Sequence, residues 1–284
     1  MRALHVVDAG PLTTVQDRGR PGWAHLGVPR AGALDAAAAA LANRLVGNPD
    51  DAALLETTLG GVTVRLSVAA TLAVTGAGCT VRVGGRAVAF AEPVTVRAGA
   101  EVEVGPARQG VRSYLAVAGG IAVEPVLGSR STDTLAWVGP PVLADGVVLP
   151  LGHAWSRPAP VDVHAARRAG GPVVLRFRAG PRRDWFTTDT VHTLTAEPYA
   201  VTADSNRVAL RLEGAPLERS RHDELPSEGI VLGAVQVPSS GRPLVFLNDH
   251  PTTGGYPVLG VVHPEDLDAV AQLRPGEPVR FREE

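Results

Sequence analysis

The chain has 284 residues, of which 45% are hydrophobic and 20% charged, with a formal net charge of -2; that suits a globular protein of one large or two ordinary domains with a sizeable core. Acids and bases are mixed along the sequence, which argues against a nucleic-acid groove or an anionic membrane face, and no apolar run approaches the roughly 18 residues of a membrane helix. There is no lysine and one cysteine, Cys79, so these residues hold no P-loop lysine, no Schiff-base or biotinyl lysine, no internal disulfide and no thiolate metal site.

The N-terminal stretch has only a short apolar segment before Asp8, too little for a secretory signal, and a cytoplasmic location is expected. The segment "TTVQDRGRPGWAHLGVPRAGALD" (13–35) carries Gln16, Asp17, Arg18, Arg20, Trp23 and His25 on a path rich in glycine and proline. It is too long for a hairpin, and loops of that kind are often functional. "LDAAAAALANRLVG" then predicts a helix capped by Asp35 and stopped at Gly47, and Asn48-Pro49 predicts a second short helix running to Glu56.

Strands dominate from there. They are expected at 62–68, 71–74, 113–117, 172–178, 208–212, 230–237 and 244–247, with hairpins at 79–90 around Gly84-Gly85 and at 93–105 around 98–100. Cys79 reads as a small core residue. Helices are expected near 181–190 and at 264–273, where Pro264 can open the helix. The fold class is mainly β with a few peripheral helices. The Pro/Gly-rich stretch 150–171 is the expected linker, giving an N-terminal unit 1–160 that includes the Ala-rich helix and a C-terminal unit 161–284.

No G-x-S-x-G elbow or dinucleotide fingerprint occurs, and the histidines never recur at metal-ligand spacing, so no metal is expected. Two further segments carry more polar chemistry than a turn needs. In "AVAGGIAVEPVLGSRSTDT" (116–134), Gly119-Gly120 permits close backbone approach, and Arg130 can hold a carboxylate in two-pronged fashion beside Ser131 and Asp133. In "SEGIVLGAVQVPSSGRPLVFLNDHPTTGGYPVLG" (227–260), a hairpin delivers residues 248–256 at a strand end. Thr253, Gly254 and Gly255 are expected to form a nest of N–H groups with φ > 0, and Asp249 beside His250 to act as a proton carrier.

These blocks, together with "GPLTTVQDRGRPGWAHLGVPRAGALD", "LANRLVGNPDDAALLETTLGG" and "SNRVALRLEG", resemble the biotin-dependent carboxyltransferase family, which also goes by allophanate hydrolase subunit 2, KipA or the C subunit of 5-oxoprolinase. The resemblance runs in family order from about residue 9 to the C-terminus. It implies two cyclophilin-like β-barrel units and work in company. One relative is half of the carboxyltransferase module of urea carboxylase, moving CO2 from carboxybiotin to urea. Others open 5-oxoproline to glutamate with two further subunits and ATP, and the KipA name comes from counteracting a kinase-inhibitor protein.

The expected function is therefore that of the C subunit in an ATP-dependent 5-oxoprolinase, inactive alone. Its expected partners are 5-oxoprolinase subunits A and B, the KipI-like one nearest, and its substrate a small amide or lactam. No cofactor is expected to be covalently bound; ATP, or in the alternative reading biotin, sits on a partner. The alternatives are a biotin-dependent carboxyltransferase half and a KipA-like regulator. The family pattern assigns no base or nucleophile, so the candidates rest on side-chain chemistry: Asp249, His250, His25 and Glu228 as catalytic; Arg130, Ser131, Asp133, Gln236, Thr253, Gly254, Gly255 and Tyr256 as substrate-binding. Family members often carry Ser at position 31 and Asp at position 206, where this chain has Ala31 and Asn206.

Overall fold

A computed structural model describes residues 2–156 and 172–284. The expected boundary at 160/161, and most of the expected linker, lie outside these residues. The chain divides into two compact units. The first comprises Met1–Arg20, Ala31–Asp133 and Trp137–Arg168; the second comprises Pro21–Arg30, Thr134–Ala136 and Ala169–Glu284. The second unit thus recruits two short segments from the N-terminal half.

The first unit is built from β1 (Ala3–Asp8), β2 (Thr13–Gln16), β3 (Leu54–Thr58), β4 (Val62–Leu66), β5 (Ala70–Gly76), β6 (Val81–Val83), β7 (Arg86–Val88), β8 (Val94–Val96), β9 (Glu101–Val104), β10 (Arg112–Val117) and β11 (Val148–Pro150). They form a six-stranded sheet in the order β11-β1-β4-β9-β6-β7 and a five-stranded sheet in the order β2-β3-β10-β5-β8. Strand alternation is clean where one face is wet, as in "EVEV" of β9, whose valines are buried and glutamates exposed. Leu4, Val64, Val81 and Val102 of one sheet share a core with Val15, Leu55, Val74 and Leu115 of the other. Cys79 packs half-buried at its edge, and burial pushes its thiol up, as befits an unreactive core residue.

The hairpin at 79–90 forms as expected, with Gly84 and Gly85 both left-handed (φ 55° and 79°). The one expected at 93–105 does not. β8 pairs with β5, whereas β9 pairs with β4 and β6, so the turn between them carries the chain from one sheet to the other. Both strands have a core face to bury, and pairing with each other would satisfy only one sheet.

Helix α1 (Ala36–Leu45) begins where expected, the Asp35 carboxylate accepting from the Ala38 N–H at 3.0 Å. The second helix expected through Glu56 is absent. Residues 48–52 form turns and Leu54 opens β3, which pairs with β2 on one side and β10 on the other. Asn48 donates to the Val117 carbonyl (2.9 Å) and accepts from the Gly119 N–H (2.9 Å), and Asn43 holds the Ala52 carbonyl (2.8 Å). Two flanking strands and these amide clamps outweigh the local cap-then-proline preference.

The second unit contains β12 (Val173–Ala179), β13 (Tyr199–Val201), β14 (Ala209–Glu213), β15 (Glu228–Gly229), β16 (Ala234–Gln236), β17 (Leu244–Phe246), β18 (Thr253–Gly254), β19 (Val258–Val262) and β20 (Pro278–Glu283). Seven of them close a barrel in the order β12-β19-β16-β17-β14-β13-β20; β20 seals it by pairing parallel to β12. β15 and β18 form a separate two-stranded ribbon. The barrel interior holds Phe177, Tyr199 and Phe281 in edge-to-face contact. Gly260 is required for the β19–β12 crossing, since a Cβ there would lie 2.4 Å from the Phe177 ring. The helix expected near 181–190 is a 3-10 turn (Arg183–Trp185) followed by α2 (Thr188–Ala196), and α3 (Pro264–Val270) opens on Pro264 as expected. No helix among the described residues is long and apolar enough to cross a membrane.

Candidate functional site

In the first unit, Asp17 follows directly on β2 and organises the "GSRS" loop. Its Oδ1 accepts from the Ser129 and Ser131 hydroxyls (2.6 and 2.7 Å) and from the Gly19 N–H (2.7 Å), and its Oδ2 accepts from the Arg130 N–H (2.6 Å). Arg20 is buried beneath, donating to the Val126 and Ser131 carbonyls. Ser131, expected to touch substrate, is fully buried and spent on Asp17. Asp133 is likewise buried, its N–H bound to the Val138 carbonyl (3.1 Å). Both are therefore buried instead of presenting a surface to a ligand.

Arg130 has a different setting. Its Nε donates to the Val123 carbonyl (2.7 Å), and the residue lines a cavity of about 300 Å³, the low end of the range for ligand sites. Asp17, Arg18 and Asp51 supply the other charges; Ala52, Ala53, Ile121, Ala122 and Trp155 supply the apolar wall. Gly119 and Gly152 cross in its lining, a Cβ on either falling 2.3 Å from the other's carbonyl oxygen. Gly119 and Gly120 are both left-handed (φ 103° and 64°), as expected of a close backbone approach. The failed second helix bears on this site: as turns, residues 49–53 bring Pro49, Asp51, Ala52 and Ala53 to the cavity.

In the second unit the opening of "NDHPTTGGYP" is an anchor. Asp249 is fully buried and grips the buried Arg207 in two-pronged fashion, with Nε–Oδ2 and Nη2–Oδ1 both at 3.0 Å. Its Oδ2 also accepts from the Thr134 N–H (3.0 Å) and hydroxyl (2.7 Å). A carboxylate so placed cannot meet a substrate, and this corrects its reading as a proton carrier. The buried His250 turns Nδ1 toward the Pro251 carbonyl at 2.7 Å; a carbonyl only accepts, so Nδ1 carries the proton. His25 is exposed on a 3-10 turn (Ala24–Leu26), stacked on Trp23 at 6.0 Å between centroids.

Glu228 pairs with Arg182 (Nε–Oε2 3.0 Å) and stands opposite Gly254 in the β15–β18 ribbon. Gln236 donates to the Tyr256 carbonyl (3.0 Å) behind that ribbon. The structure thus gathers Glu228, Gln236, Thr253, Gly254 and Tyr256, with Thr253, Gly255 and Tyr256 exposed. The expected φ > 0 nest is a second correction: neither Gly254 nor Gly255 is left-handed. Gly254 sits in a tight place, where a Cβ would lie 3.1 Å from Gln236 Nε2 and 3.3 Å from Ile230, closer than an ordinary contact. Gly254→Val is expected to break the Gln236–Tyr256 bond and destabilise the ribbon by about 1–3 kcal/mol, read as faster amide exchange at 228–230 and 253–254.

Sequence reasoning missed Arg207 and Arg182, the partners of two candidates; each is an arginine whose acid lies 42 or 46 residues away. It also missed Arg30, half-buried in the second unit without a hydrogen bond or ion pair among the described residues; burial pushes its guanidinium below the ordinary value. The departure at Asn206 costs nothing locally. Its side-chain oxygen accepts from the Val208 and Ala209 N–H groups (2.8 and 3.3 Å), as an aspartate would. Ala31 is buried in a left-handed conformation (φ 51°).

Residues 26–283 match the family described as carboxyltransferase domain, subdomain A and B. The chain belongs to that family. It is 38% identical over 281 residues to the 5-oxoprolinase C subunit of Escherichia coli (strain K12), covering 98% of this chain and 90% of that one. It is 29% identical to the urea amidolyase of Saccharomyces cerevisiae, covering 98% of this chain and 16% of that one. Among solved structures, it superposes on TTHA0988 with a TM-score of 0.89 at 37% identity, over 99% of this chain and 55% of that one. On the Kluyveromyces lactis urea amidolyase the TM-score is 0.91 at 29% identity, over 98% of this chain and 18% of that one. The chain therefore spans nearly all of the bacterial curated relative, about half of TTHA0988 and under a fifth of the yeast enzymes.

Proposed function

We propose that this chain is the C subunit of an ATP-dependent 5-oxoprolinase, opening 5-oxoproline to glutamate together with subunits A and B, the KipI-like one being its nearest partner. The observation that carries the reading is the end-to-end similarity to a separate bacterial protein of that name, matched over 90% of its length. The site chemistry is consistent with a share of the work. The cavity offers two arginines and an apolar wall, suited to holding a small polar substrate, while these residues contain no lysine to serve a P-loop. ATP binding is accordingly assigned to a partner, and the chain alone is expected to be inactive.

A second reading, half of a biotin-dependent carboxyltransferase, is favoured by the family description and by the likeness to urea amidolyases. Biotin would be carried by another chain, since no lysine here can bear it. One assay separates the two. The co-purified complex is expected to release ADP on adding 5-oxoproline, with no response to avidin. ADP release only with urea and a biotinylated carrier, abolished by avidin, would replace the first reading by the second.

A further inference from the structure

The cavity of the first unit contains charges that have no partner among the described residues. Asp17 lies in its wall, but both its oxygens are occupied by four short hydrogen bonds from the loop. Arg18 and Asp51 are exposed at the cavity and have no hydrogen bond or ion pair among the described residues. Arg130 donates through Nε to the Val123 carbonyl, and among the described residues its two terminal nitrogens have no partner. Two cations and one acid thus remain available around about 300 Å³, and Ile121, Ala122 and Trp155 also line it.

We infer that this cavity binds a small carboxylate that also presents an N–H donor and an apolar ring or chain. The carboxylate goes to Arg130 and Arg18, because a planar guanidinium matches it in two-pronged fashion. The N–H goes to Asp51, which has no other donor among the described residues. The carbon skeleton lies against the Ile121 and Trp155 wall. Asp17 and Asp51 disfavour a polyphosphate, whose charge they would repel. 5-Oxoproline has all three features: a carboxylate, a lactam N–H and a five-membered ring. Its choice among such acids rests on the proposed function.

The test is calorimetric titration of the purified chain and of the full complex with 5-oxoproline, pyrrolidin-2-one, the lactone analogue lacking the N–H, and ADP. Binding of 5-oxoproline is expected, weakened about tenfold or more in Arg130→Met and Arg18→Met, and similarly for pyrrolidin-2-one, through loss of charged hydrogen bonds. The lactone, and Asp51→Asn, are expected to lose affinity several-fold. Arg18 and Asp51 are exposed, so their variants should melt like the parent, which keeps the result readable if Arg130→Met folds poorly. Pyrrolidin-2-one binding as tightly as 5-oxoproline, ADP taking its place, or unchanged affinity in all three variants would overturn the assignment. If the complex opens 5-oxoproline with a KM indifferent to Arg18 and Arg130, the cavity assignment falls while the proposed function stands. If the arginines bind another lactam acid and no complex opens 5-oxoproline, the reverse holds.

Discussion

Asp249→Ala is expected to destabilise the C-terminal barrel by about 3–5 kcal/mol, because it removes a fully buried carboxylate that a buried arginine grips through two hydrogen bonds. Arg207 and Asp249 are 1% and 0% exposed, joined by two bonds of 3.0 Å, and Thr134 adds two more donors to the same carboxylate. Loss of the acid removes the acceptor of four hydrogen bonds inside the protein, two from the Arg207 guanidinium and two from Thr134. The melting temperature should fall by about 10 °C or more. The apolar double replacement Arg207→Met/Asp249→Leu should recover most of that loss, since an isosteric apolar pair is often as stable as the ion pair it replaces. A melt unchanged in the single variant would refute the anchoring role and return Asp249 to the groups free to act on substrate.

Glu56→Ala is expected to have a comparable effect on the first unit. Glu56 is 1% exposed in the middle of β3; its Oε2 accepts from the Leu34 N–H and the Tyr114 hydroxyl, both at 2.9 Å, and its Oε1 lies 3.8 Å from Arg112 Nε. Tyr114 in turn accepts from the Asp35 N–H at 2.8 Å, so the chain of contacts runs from the sheet to the cap of α1. Burial, and then the nearby Glu56 and Asp35, push the Tyr114 phenol well above its ordinary value, keeping it a donor. Removing Glu56 leaves a buried hydroxyl and N–H unsatisfied and takes the carboxylate from beside Arg112, at a cost of about 3 kcal/mol or more. Chemical denaturation should show a lower midpoint with an unchanged slope, together with earlier amide exchange at the start of α1. Exchange at 36–38 as slow as in the parent would contradict this wiring.

What the sequence made legible follows the physics that local patterns report. Strand alternation, the Gly84-Gly85 turn, the Asp35 cap and the Pro264 start all depend on neighbours within a few residues, and each appears where expected. The helix at 49–56 failed because its residues are claimed by β2 and β10, which are distant in the chain. The hairpin at 93–105 failed for the same reason: strand partners are chosen by which core face each can bury, which no short window contains.

The site was legible to the same degree. "GSRSTD" and "NDHPTTGGYP" stand out because they are polar and rich in turn residues, and that composition serves two ends that a sequence cannot separate. Arg130 reaches a cavity; Ser131 and Asp249, in the same motifs, are consumed by internal bonds. The difference is set by Asp17 and Arg207, whose positions relative to those motifs emerge only after folding. Gly254 makes the point for backbone as well: a glycine in a crowded place reads the same as one needed for φ > 0.

The most direct measurement of the proposed role is carbon-13 NMR of labelled 5-oxoproline with ATP and the co-expressed partners, run with and without this chain. Conversion of the lactam carbonyl signal to that of the glutamate side-chain carboxylate, in the complete mixture and absent when this chain is omitted, is the expected result. Ring opening at the same rate without this chain would contradict the account.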